Sequence, residues 1–187
     1  MSATVAAKPG YVALPLRPCW PRLMPNVRRS MAQVDPELVG VFRRLVAGEN
    51  PWPLFLHGPV GVGKTLAALS LADHARTAAY FTADGLCNTL LELRDQPAMV
   101  RGLWDAIDGK HLVIIDELGL RGNVSEFFYG TIKRVADARE LNAGRVGIFI
   151  SNLDANQLVR IFDDRLGSRL FCGSHFHLTG RDRRFSQ

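Results

Sequence analysis

Residues 54–65 read LFLHGPVGVGKT, and the reading of this stretch decides the fold. The first four residues form a short apolar run of strand character. The next eight, Gly58, Pro59, Val60, Gly61, Val62, Gly63, Lys64 and Thr65, fit the pattern G-x-x-x-x-G-K-[ST] of a phosphate-binding loop. Each residue type has a chemical reason to be there. Gly58, Gly61 and Gly63 let backbone amides turn inward around phosphate oxygens. Lys64 has the reach for β- and γ-phosphates, and the Thr65 hydroxyl is a magnesium ligand at the start of a helix whose dipole favours anions. Residues 64–75, KTLAALSLADHA, supply that helix. Strand, loop and helix in this order separate the motif from a chance glycine-rich turn.

Working outward, further short apolar runs at 78–82 (AAYFT), 111–116 (HLVIID), 146–151 (VGIFIS) and 175–178 (HFHL) alternate with longer helical segments. Strands that alternate with helices predict an α/β fold, a five-stranded parallel sheet sandwiched by helices. Upstream, DPELVGVFRRLVAG (35–48) announces a helix, with Asp35 as cap, Pro36 at the first position, and Leu38, Val41, Phe42 and Leu45 at helical spacing. Residues 1–34 are proline-rich and aperiodic, an arm preceding the core. In SEFFYGTIKRVADAREL (125–141), Phe127, Phe128, Ile132 and Val135 read as core positions of an amphipathic helix.

Two strand ends carry chemistry. HLVIIDELG (111–119) delivers Asp116 and Glu117 to the carboxyl edge of a parallel sheet, where such folds bind ligands. Asp116 is placed to hold a magnesium shell, and Glu117 to polarise a water for in-line attack on a γ-phosphate. The plain alternative is an acidic pair that ends a strand. GIFISNLD (147–154) ends a strand at Ser151 and Asn152. In an additional-strand ATPase this strand lies between the phosphate-loop strand and the Asp116 strand, which sets Asn152 to touch the γ-phosphate or the attacking water. The alternative is an Asn that caps the helix DANQLVRIF.

Composition sets outer bounds. With 187 residues, 47% of them hydrophobic, the chain suits one compact domain with a sizeable core. The formal charge of +5 fits a phosphate-rich partner, though many proteins with that balance never meet nucleic acid. Cys19, Cys87 and Cys172 have no spacing for zinc or a disulfide framework and read as thiols of a reducing cytoplasm, and the five histidines have no ligand spacing. The N-terminus is no secretory signal, and no membrane-spanning run occurs.

Taken with DDRLGSRL (163–170) and LTGRDRR (178–184), the segments LFLHGPVGVGKTLAALSLA, AYFTADGLCNTLLELR, HLVIIDELG and GIFISNLDANQL resemble the ATPase core of bacterial and phage helicase loaders of the DnaC and DnaI type. IstB-type transposition ATPases come close behind. The resemblance implies an AAA+ P-loop core over 35–187 without a C-terminal helical lid, ATP and Mg2+ as cofactors, and ATP hydrolysis in DNA replication. It also implies a homo-oligomer in which Arg169, assisted by Arg165 one turn earlier, acts as an arginine finger in the neighbour's site. A tail arginine senses nucleotide, with Arg184 the nearest match and Arg181 and Arg183 as alternatives. The implied partners are a replicative helicase or a transposase, and single-stranded DNA.

Several points stay open. The two arginines could instead pair with Asp163 or Asp164 or face solvent, and the basic tail could be a solvated end. In residues 84–110, Arg94, Arg101, Lys110 and Trp104 could line a DNA groove, yet Trp104 spaces with Met99, Val100 and Leu103 as a core residue would. Residues 1–50, mostly the proline-rich arm and one helix, stand where such loaders usually carry a separate helicase-binding region, and Trp20 or Met24 in the arm could line an adenine pocket. Two other readings remain: a nucleotide-gated adaptor with little turnover, and a small-molecule kinase, which Glu117 and the DRLGSRL segment disfavour.

Overall fold

A computed structural model describes residues 29–120, 124–141 and 144–183. Trp20, Met24, Cys19 and Arg184 therefore lie outside the described residues. Helix α1 (Pro36–Ala47) starts where Asp35 accepts from the backbone N–H groups of Glu37 and Leu38, and it ends at Gly48 in the left-handed region. The chain then runs β1 (Leu54–His57), α2 (Lys64–Ala72), β2 (Ala78–Thr82), α3 (Ala83–Glu92), α4 (Pro97–Asp108), β3 (Leu112–Leu118), α5 (Glu126–Leu141), β4 (Val146–Ser151), α6 (Ala155–Ile161), α7 (Asp164–Phe171) and β5 (Ser174–His177). No α-helix follows β5 among the described residues.

The sheet order is β2-β3-β4-β1-β5, and every pairing is parallel. β4 thus lies between β1 and β3, as the additional-strand reading requires. Alternate residues of each strand feed two cores. Leu54, Leu56, Leu112, Ile114, Ile148 and Ile150 pack with Leu38, Phe42 and Leu45 of α1 and the apolar side of α2. Phe55, Val113, Ile115 and Phe149 point the other way, against α3, α4, α5 and α7. Burial on both faces explains why these strands read as near-continuous apolar runs.

Two expectations change on contact with the fold, and one open reading is settled. Phe127 is 43% exposed, so the apolar stripe of α5 begins at Phe128 and is fully buried only at Ile132 and Val135. The third strand extends two residues past Asp116, with a register irregularity between Ile115 and Leu118. Trp104 is core, buried among Leu86, Leu90 and Ile107, with the Arg134 guanidinium 3.8 Å above its ring. Its indole face is therefore not free to stack on a base, and Arg94, in a turn, and Lys110, in the link to β3, lie off the helices.

The end of the arm packs on the core. Arg29 donates to both carboxylate oxygens of Asp73 at the end of α2, at 2.6 and 2.5 Å, and Val34 is buried.

Candidate functional site

Helix α2 opens directly from Gly63, whose φ of 102° no side chain adopts readily, so the loop at 58–63 stays wrapped before the helix N-terminus. Lys64 is 7% exposed and turned back over this loop. Its Nζ donates to the carbonyls of Gly58 and Pro59, each at 2.7 Å, and to Oδ1 of Asn152 at 2.8 Å. The ammonium therefore joins the phosphate loop to the tip of β4. Asn152 does not cap α6. That task belongs to Asp154, which forms a reciprocal capping box with Gln157.

One turn into the same corner, Thr65 Oγ1 donates to Oδ2 of Asp116 at 2.6 Å. The Asp116 carboxylate is 4% exposed, and its Oδ1 accepts from the Glu117 backbone N–H at 2.7 Å. A hydroxyl and a carboxylate side by side are hard oxygen donors, the set that suits magnesium. Among the described residues no group of three or more His, Cys, Asp or Glu is arranged to hold a metal alone. A cation at Thr65 and Asp116 would take its remaining ligands from phosphate and water.

Glu117 is exposed and has a φ of 62°, the one non-glycine residue with positive φ among those described. The irregularity in β3 thus turns its side chain out of the strand's alternation, towards a depression lined by Asp84, Ser125 and Phe128. Tyr80 on β2 was not expected here: its hydroxyl donates to Asp116 Oδ2 at 3.0 Å, and burial beside that carboxylate pushes its phenol pKa up. Ser151 closes the β3–β4 junction, donating to the Leu118 carbonyl at 2.6 Å.

The segment after β5 crosses the loop. The Leu178 N–H donates to the His57 carbonyl at 2.8 Å, and the Arg183 N–H to the Gly61 carbonyl at 3.0 Å. The Asp182 carboxylate lies against Gly61 and the Arg183 guanidinium against Gly63, while Arg183 Nη1 also reaches the Gln33 carbonyl at 2.5 Å. Of the two tail arginines among the described residues, both exposed, Arg183 is the one at the loop. Beside the loop, the His57 and His177 rings stack at 4.6 Å, and burial followed by the nearby His177 lowers the His57 pKa.

The α7 arginines part company. Arg165 is exposed. Arg169 is held by its own chain: its guanidinium pairs with Asp137 and, at 3.7 Å, with Glu140 on α5, and Nη1 donates to the Arg165 carbonyl at 3.0 Å. The acidic partners of Arg169 are thus on α5, and Asp163 caps α7.

Residues 54–137 match the family described as ATPase family associated with various cellular activities (AAA). No curated protein sequence matches the chain. Among solved structures it is similar to DnaI, at 22% identity and a TM-score of 0.65, over 84% of this chain and 91% of that one. The DnaC helicase loader aligns at 16% identity and a TM-score of 0.65, over 82% and 94%. The replication initiator DnaA bound to AMPPCP and single-stranded DNA aligns at 20% identity and a TM-score of 0.61, over 69% of this chain but 40% of that one. The chain thus has the P-loop AAA+ fold. Among the described residues no helix is long and apolar enough to cross a membrane.

Proposed function

We propose that this AAA+ chain binds ATP with magnesium, hydrolyses it to ADP and phosphate, and acts in DNA replication as a loader or remodeller of a replicative helicase on single-stranded DNA. The observation that carries the reading is the pair of contacts across the sheet edge, Lys64 to Asn152 and Thr65 to Asp116. Together they gather a phosphate-binding cation, a polar strand tip and an oxygen pair fit for magnesium at the mouth of one glycine loop. Magnesium, when bound, neutralises charge on the phosphates. Glu117 takes the proton of the attacking water while its oxygen bonds to the γ-phosphorus and the bond to the bridging oxygen breaks, releasing ADP. Asn152 orients that water or the γ-phosphate.

In this reading the chain assembles with copies of itself, and Arg169, with the exposed Arg165 beside it, completes a neighbour's site. The test is ATP turnover against protein concentration, with and without single-stranded DNA, for the parent and for Arg169→Ala mixed with Lys64→Ala. Activity that rises with concentration, and a mixture that turns over where neither variant does alone, is the expected result. The grip of Asp137 and Glu140 on Arg169 favours a second reading, a nucleotide-gated adaptor with little turnover. Concentration-independent activity and a silent Arg169→Ala would select it.

A further inference from the structure

We infer that Tyr80 is a positioning residue for the magnesium-binding carboxylate of Asp116, an inference that rests on the magnesium–ATP reading above. Asp116 ends the buried run of β3, and its two oxygens are tied differently. Oδ1 is held by the Glu117 N–H, a bond within the chain's own turn. Oδ2 accepts from Thr65 on one side and Tyr80 on the other. The Thr65 hydroxyl can ligate a cation through a lone pair and still donate its proton to Oδ2, so its position follows the metal, whereas the Tyr80 hydroxyl takes no part in ligation and aims Oδ2 from the protein side.

The sheet explains why Tyr80 can do this. β2 pairs with β3 so that Tyr80 lies opposite Ile114 and Thr82 opposite Asp116. Tyr80, Ile114 and Asp116 therefore share one face, with Asp116 on the diagonal from Tyr80, a separation within the reach of an aromatic side chain. The ring packs against the core shared with α1 and α2, which fixes its direction and leaves the hydroxyl at the carboxylate. Side chains that orient a metal ligand in this way typically change metal affinity or activity by about 10–100-fold when removed.

Tyr80→Phe keeps the ring and deletes the hydroxyl. The full-length parent and variant are titrated with a fluorescent ATP analogue, first in EDTA and then at rising Mg2+. Equal metal-free affinity is expected, with the Mg2+ concentration for half-maximal gain about 10-fold higher in the variant. Asp116→Asn is expected to abolish the gain. Identical Mg2+ midpoints in parent and variant overturn the inference, as does a loss of metal-free binding in equal proportion, which would make the hydroxyl a support of the loop itself. A parent whose nucleotide binding ignores Mg2+ overturns the magnesium–ATP reading, and the role of Tyr80 with it.

Discussion

Glu117 is the place where strain and chemistry can be separated. A glutamate at φ 62° sits in the left-handed region, which costs a residue with a Cβ roughly 1–2 kcal/mol. Its side chain is exposed, so truncation forfeits little packing. Glu117→Gly removes the backbone penalty and adds the entropy of a freer unfolded chain, about 0.5–1 kcal/mol, so the net effect is a gain of about 0.5–1 kcal/mol. For a domain of this size that corresponds to a rise of about 1–4 °C in Tm, read by calorimetry. Glu117→Gln keeps the strain and loses the base. Its Tm is expected to match the parent while ATP turnover falls by about 10²–10⁴-fold, with nucleotide affinity unchanged. Both variants lose the carboxylate and with it turnover, and only the Gly variant gains stability. A Gly variant less stable than the parent, or a Gln variant with parental turnover, would refute the claim that this residue is held in a costly conformation for its carboxylate.

Three more outcomes follow from the geometry of the loop. A Cβ at Gly58, where φ is 143°, would overlap the Leu178 carbonyl oxygen, so Gly58→Ala is expected to lower stability by about 2–4 kcal/mol in chemical denaturation. Arg183→Ala is expected to weaken nucleotide binding about tenfold by fluorescence titration, about 1.4 kcal/mol, with Arg181→Ala within about twofold of the parent. The His57 ring faces His177, His175, Asp154 and Lys64, and its pKa is lowered from 6.5, so the unfolded chain takes up the proton first as pH falls. Stability that is complete above 6.5 should then decline as pH drops below 6.5 towards the folded-state value, and His57→Gln should flatten that slope in thermal melts at stepped pH.

What was legible in the sequence is what local pattern controls. The loop at Gly58–Thr65 could be read because its backbone geometry is set by glycines close together in the chain, and the strands because burial on both faces makes them continuously apolar. Asp116 and Asn152 could be read from their place at strand ends, since in a parallel sheet all carboxyl ends open on one edge. Tyr80, 36 residues from Asp116, could not: its contact depends on β2 pairing with β3 in one register, and a shift by one residue would turn the hydroxyl to the opposite face. The same holds for Arg169, whose partners on α5 are fixed by how two helices pack, and for Trp104, where spacing allowed both a groove and a core and the cover supplied by Arg134 decided for the core. Side chains of both kinds meet at one sheet edge. In the proposed function the motif residues supply the reactive groups, and residues placed by register, such as Tyr80 on Asp116, aim them.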